Sequence, residues 1–280
     1  MSYADILLHI DPVNGDEASI AVAVDLAEQH RAHLAGLASV ADIYLPLYGF
    51  TGLAEDVYRQ MDQVAEKRFT QAKTAFDSAT ANFDISTEFR PVKVDGATVA
   101  ETVALHGRHA DLIVTGQTNP EKHRTGGPDM VEQLILAAGR PVLVVPFTGA
   151  PQNIGRNVIV GWDGSREAAR ALSDALPLIS QADVVNVMVI NPDRRREKHG
   201  ELPGADISTH LARHGLNVNL AVENSDTVDP ANLILSRAAD LNADLLVIGA
   251  FGHSRLKQSL FGGVTRSMLE QMTLPVLMSH

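Results

Sequence analysis

The chain has 280 residues, 45% hydrophobic and 20% charged, with a formal net charge of −11 and a pI near 5.4; this is enough for two globular cores, and the acidity disfavours general binding to nucleic acid or an anionic membrane. There is no cysteine, which excludes disulfides, thiolate chemistry and Cys-ligated zinc. The N-terminal Met1-Ser2-Tyr3-Ala4-Asp5 lacks the pattern of a signal peptide, and no apolar run approaches the roughly 18 residues of a membrane-spanning helix, so a cytoplasmic location is expected.

The first half predicts strands near 4–11, 33–41, 85–94, 111–116 and 141–146, with helices near 15–30, 54–80, 97–109 and 129–138. An apolar stretch, 43–53, has no counterpart later; it is expected to pack on the partner domain or another subunit, or to fold as a local lid. The segment 147–155 has turn residues and no periodicity, and reads as a linker. The second half predicts strands near 157–163, 183–190, 216–223, 244–249 and 274–279, with helices near 165–178, 203–214, 230–241 and 263–272. Alternation of this kind gives α/β architecture, here two doubly wound parallel five-stranded sheets in tandem.

The halves repeat. Ile6-Leu7-Leu8-His9-Ile10-Asp11 matches Val158-Ile159-Val160-Gly161-Trp162-Asp163. Ala110-Asp111-Leu112-Ile113-Val114-Thr115-Gly116 matches Ala243-Asp244-Leu245-Leu246-Val247-Ile248-Gly249, and Pro141-Val142-Leu143 matches Pro275-Val276-Leu277. Three matched signatures in one order indicate an internal duplication. The final strand of each half would be an apolar edge. It is expected to pair within the chain, as a pseudo-dimer, or between chains, as a homodimer.

The loop after the fourth strand of the second half carries the chemistry. It runs from Gly249 through Gly252 and His253 to Gly262, Gly263, Val264 and Thr265. In a doubly wound sheet, ligands sit at the carboxyl ends of strands where strand order reverses. Gly249 and Gly252 permit close main-chain approach, and the amides at a helix start after Gly263 suit phosphate. Thr265 adds a hydroxyl, and Arg255, Lys257 and Arg266 add local positive charge. The spacing is neither a Walker A loop nor a Rossmann fingerprint.

This G-x₂-G-x₉-G spacing after a fourth strand resembles the ATP-binding motif of the universal stress protein family, and the resemblance covers the whole chain as two repeats, 1–147 and 156–280. It implies an adenine-nucleotide α-hydrolase-like fold and a cytosolic stress-response module. The cofactor implied is ATP, with or without Mg²⁺. The nucleotide-binding set it implies is Asp163, Val189, Gly249, Gly252, His253, Gly262, Gly263, Val264 and Thr265. Asp163 would hold the adenosine, Val189 would lie by the adenine, and the loop would line the ribose and phosphates. The family motif has Ser or Thr where this chain has Gly263. The missing donor is worth about 1 kcal/mol, which implies weaker binding rather than none.

In the first half Asn119 falls in the place of Gly252, and Pro128-Asp129 in that of Gly262-Gly263. Asp129 would satisfy its own helix start and repel phosphate, so this half is expected not to bind ATP in the same way. Its Gly126-Gly127 pair offers a substitute turn, and Asp11 reads as a strand-end cap or a remnant of the site.

His210 and His214, and likewise His106 and His109, read as solvated helix positions rather than zinc pairs. Arg194-Arg195-Arg196-Glu197-Lys198 reads as a charged loop on the same rim. Trp162 alternates away from Asp163 and is expected under a helix. No nucleophile elbow, kinase loop or Mg²⁺-binding carboxylate pair stands out. Three functions stay open: an ATP-binding signalling module, a weak ATPase or nucleotide-handling enzyme, and a structural dimerisation protein without nucleotide.

Overall fold

Short runs of Val, Ile and Leu without polar alternation suit strands buried on both faces, and both halves use them so. The computed structural model describes residues 2–13, 16–41, 53–122, 125–192, 202–252 and 263–280. The stretch 43–52, the Arg194–Lys198 run, Arg255, Lys257, His253 and Gly262 lie outside the described residues.

The first half contains β1 (Asp5–Ile10), α1 (Glu17–His30), β2 (His33–Ala41), α2 (Leu53–Thr80), β3 (Thr87–Val94), α3 (Val99–Gly107), β4 (Leu112–Gly116), α4 (Met130–Ala138) and β5 (Val142–Val145). The second repeats the order as β6 (Asn157–Gly161), α5 (Arg166–Ile179), β7 (Val184–Ile190), α6 (Ala205–Arg213), β8 (Val218–Glu223), α7 (Pro230–Asp240), β9 (Leu245–Gly249), α8 (Val264–Gln271) and β10 (Val276–Ser279). The alternation expected from the sequence is present in both halves.

The two five-stranded sheets are one ten-stranded sheet, in the order β3-β2-β1-β4-β5-β10-β9-β6-β7-β8. Within each half the strands are parallel. At the centre β5 and β10 run antiparallel, with Val144 opposite Val276, Leu143 opposite Leu277 and Val142 opposite Met278. All of these residues are fully buried. The final strands therefore pair with each other inside the chain, and neither is left as an edge for a second copy. The packed layers follow strand parity: α1, α2, α5 and α6 cover one face, and α3, α4, α7 and α8 the other. Among the described residues no helix is long and apolar enough to cross a membrane.

The same carboxylate device closes the start of both repeats. Asp111, just before β4, accepts from the amides of Ala4 (2.7 Å) and Asp5 (3.2 Å). Asp244, just before β9, accepts from Gly155 (2.6 Å), Arg156 (3.0 Å) and Asn157 (2.8 Å). The interval between the halves thus ends in a fixed position. Gly155 has φ +91°, and a Cβ there would lie 2.7 Å from the Leu178 carbonyl oxygen, so a side chain is excluded twice over. Tyr3 joins the halves from the other end, with its hydroxyl donating to the Asp174 carbonyl at 2.8 Å. Its main-chain N donates to His30 Nδ1 at 3.4 Å, and the two rings lie 4.9 Å apart.

Two outcomes follow from these contacts. Asp244→Ala strips three amides of their acceptor and is expected to cost about 3 kcal/mol. Asp244→Asn, which keeps one carbonyl oxygen, should cost less, and an unchanged urea midpoint for Asp244→Ala would contradict this account. Burial, followed by the positive N-terminus, holds the His30 imidazole below its usual 6.5. Between the folded and unfolded values the unfolded chain binds more protons. Stability is therefore full above about 6.5 and declines as pH falls through that window. His30→Gln should flatten this limb of the melting-temperature profile; an identical limb in the variant would exclude His30 as its source.

Candidate functional site

Strand order places the crevice. The chain leaves β6 toward β7 on one side, and β9 lies on the other, so the carboxyl ends of β6 and β9 flank a reversal of direction. Leaving β6, Asp163 Oδ1 accepts from the Ser165 amide at 3.0 Å, a local turn that Gly164 permits with φ +67°. Ser165 then caps α5: its backbone is extended, and its hydroxyl accepts from the Ala168 amide at 3.1 Å. Trp162 packs on the core layer beneath, as its alternation implies, with its main-chain N donating to the Met188 carbonyl.

Gly249 ends β9 directly under that helix start. A Cβ on it would lie 2.4 Å from Ala168 N and 2.6 Å from the Glu167 carbonyl carbon. Packing of main chain on main chain thus accounts for this glycine. At Gly252 a Cβ would meet Glu167 Oε2 at 3.1 Å and Ser165 Oγ at 3.6 Å. Glu167 was not singled out in the sequence, although its place two residues after the Ser165 cap is the signal that sets it on this rim. It is 4% exposed. Burial raises its carboxyl, but the Arg166 hydrogen bond, its own amide and the charges of Arg166 and His280 outweigh that, and it stays below the usual carboxylate range.

Between these glycines Phe251 adopts φ +57°, a left-handed conformation that costs a non-glycine residue about 1–2 kcal/mol. Its amide donates to Thr265 Oγ1 at 3.3 Å, and its ring meets His280 at 6.4 Å between centroids. Thr265 is 6% exposed, so its hydroxyl first ties α8 to the strand exit. Gly263 stands at the N-cap of α8 with extended backbone and no side chain to bond the first-turn amides. Asp163, Ser165, Gly252, Phe251, Thr265 and the start of α8 therefore lie along one rim. Val189 is different. It is fully buried, its Cγ2 2.9 Å from the Cβ position of Gly204, so its side chain is committed to packing under α6.

Arg266 does not serve this rim as expected. It reaches across to the first half, to Asp129 (3.3 Å) and Glu132 (3.5 Å), and along its own helix to Glu270 (3.3 Å). Gln117 makes a second crossing. Its Nε2 donates to the Leu269 carbonyl at 2.9 Å, and its Oε1 accepts from the Phe147 amide at 3.3 Å.

The corresponding rim of the first half is closed by its own residues. Asp11 is completely buried and accepts from Thr125 Oγ1 (2.8 Å), the Thr125 amide (3.2 Å) and the Val13 amide (3.0 Å). Its own amide donates to Asp16 Oδ2 at 2.7 Å. Gly126 and Gly127, with φ +91° and +86°, supply the turn that follows. Asp129 does not satisfy its helix start, contrary to expectation. Its backbone (φ −91°, ψ 8°) lacks the extended geometry that Thr98 and Ser165 share, so its carboxylate misses the first-turn amides and meets Arg266 instead. Below Asp11, the buried His9 ring lies 3.2 Å from Thr115 Oγ1 and 3.0 Å from Ser39 Oγ. The matching places in the second half hold Gly161, Ile248 and Ile190. A histidine inside an apolar strand, with hydroxyls on the two neighbouring strands, was the unread signal.

His210 and His214 stack edge to face, 4.7 Å between centroids. Among the described residues no group of three or more His, Cys, Asp or Glu could hold a metal ion.

Residues 155–280 match the model of the universal stress protein family. The stress response protein NhaX of Bacillus subtilis (strain 168) is 26% identical over 157 residues, covering 43% of this chain and 95% of that protein. The fold of the whole chain is similar to that of a universal stress protein from Archaeoglobus fulgidus DSM 4304, with TM-score 0.70 and 16% identity, covering 98% of this chain and 97% of that one. It is also similar to a functionally unknown protein from Pseudomonas aeruginosa PAO1, with TM-score 0.59 and 19% identity, covering 99% of this chain and 92% of that one. Residues 155–280 are thus a universal stress protein domain.

Proposed function

We infer that the second half holds an adenine nucleotide, ATP, along the rim from Asp163 to the start of α8, and that the chain is a cytosolic stress-response binding and signalling module. The observation that carries this reading is the bare start of α8. Its glycine cap offers the first-turn amides no side-chain acceptor, and it is joined through Phe251 and Gly252 to the loop of Asp163. Such amides, with the helix dipole behind them, favour an anion.

The buried Glu167 beside Gly252 orients the ligand. A carboxylate there repels phosphate and accepts from hydroxyls, so the ribose faces Glu167 and the phosphates face Val264 and Thr265. A Mg²⁺ ion would be held by the phosphates rather than by a protein cage. Occupancy acts on α8, and α8 carries Arg266 to Asp129 and Glu132 and offers its carbonyls to Gln117. Nucleotide bound in the second half is thereby felt in the first. The first half takes no ATP in this way, since Thr125 already fills the hydrogen-bonding positions of Asp11.

Gly263→Asp tests the reading, because it gives the second half the residue that Asp129 is in the first. An aspartate cap leaves helix stability equal or a few tenths of a kcal/mol better, while ATP affinity measured by calorimetry should fall at least about tenfold, or 1.4 kcal/mol. Wild-type affinity in this variant would sink the assignment of phosphate to α8. Asp163→Ala should weaken ATP with the melting temperature little changed. Retained affinity there would remove adenosine from that carboxylate.

A further inference from the structure

The pairing of β5 with β10 leaves the ten-stranded sheet with two edges, β3 and β8. The two are built differently. β3 carries Arg90, Pro91 and Lys93, the residue types that keep an edge from pairing. It also lies under the 28-residue α2, where Phe89 meets Phe76 at 5.9 Å between rings and Lys93 bonds Asp62 at 2.9 Å. β8 reads Val-Asn-Leu-Ala-Val-Glu, with no proline and no basic residue. The helix in the place of α2 is α6, of 9 residues. It contacts Leu220 through Gly204 yet leaves Leu220 42% and Val222 45% exposed.

We propose that β8 is a self-association edge, at which a second copy of this chain adds its own β8 antiparallel across a two-fold axis. The strand is complementary to itself. The register with β7 sets Leu220 beside Val187 and Val222 beside Val189, so Val218, Leu220 and Val222 share the α6 face. With Leu220 on the axis, Val218 of each copy lies opposite Val222 of the other, and the apolar row continues unbroken from one sheet into the next. The edge is also electrically quiet in a chain of net charge −11, because its one charged residue, Glu223, is paired with Arg237 at 2.5 Å. Asn219 and Ala221 meet on the opposite face, where neither is charged. Outward main-chain groups of β8 gain partners by the geometry already used at the β5–β10 seam. The sheet then becomes continuous through both copies.

Light scattering after size exclusion, over a concentration series of the full chain, tests this. The expected result is a species of about twice 30.1 kDa that dissociates on dilution. In the double variant Leu220→Lys, Val222→Lys it should become a monomer with an unchanged far-ultraviolet dichroism spectrum. Hydrogen exchange on the unmodified chain gives a second readout that needs no variant. Amides of 218–223 should gain protection as concentration rises while those of 87–94 do not. A monomer at every concentration, a dimer that persists in a folded double variant, or protection at 218–223 that ignores concentration would each overturn the proposal. The first of these would leave the strand to a different partner.

Discussion

The antiparallel seam between β5 and β10 is the constraint on which the rest of the molecule depends. Each Val or Leu buried there contributes roughly 1.5–3 kcal/mol, and no polar group interrupts the central pairs. The seam consumes both final strands and relates the halves by a pseudo-two-fold. It brings α4 and α8 together, so that Arg266 meets Asp129 and Gln117 reaches Leu269. Tyr3, Asp174 and Ser279 add polar ties along the same junction, with Ser279 Oγ 2.9 Å from Asp174 Oδ2.

On this shared scaffold the two rims have diverged. In both an aspartate follows the first strand, and a glycine ends the fourth. In the first half the aspartate is buried and bonded by Thr125 and the Val13 amide, with a polar layer of His9, Thr115 and Ser39 beneath it. In the second half the aspartate closes a short turn, the layer beneath is Gly161, Ile248 and Ile190, and the helix beyond begins at a glycine. Repetition therefore preserves the packing, while the chemistry at the rims is set by a handful of side chains. Of the three cations that sequence alone assigns to the second rim, Arg266 pairs across the junction with Asp129 and Glu132 of the first half.

The fold was legible because its strands are buried on both faces. Val158-Ile159-Val160 and Leu245-Leu246-Val247 carry no polar alternation, and such runs separated by helical stretches leave few architectures. Fusion into one sheet was legible only as an alternative, since an apolar edge specifies pairing but not its partner. At the candidate site the aspartates and glycines were visible by position, but their causes were not. Gly249 is demanded by the main chain of α5, some 80 residues away in sequence. The closure of Asp11 by Thr125 and the failure of Asp129 to cap depend on backbone angles and long-range contacts that spacing does not encode. Glu167 escaped notice because a lone acid in a first helical turn ordinarily serves the helix dipole.

Native mass spectrometry of the intact chain titrated with ATP addresses the asymmetry of the two rims most directly. The account predicts one nucleotide per chain at saturation. Two per chain, or none, would contradict it.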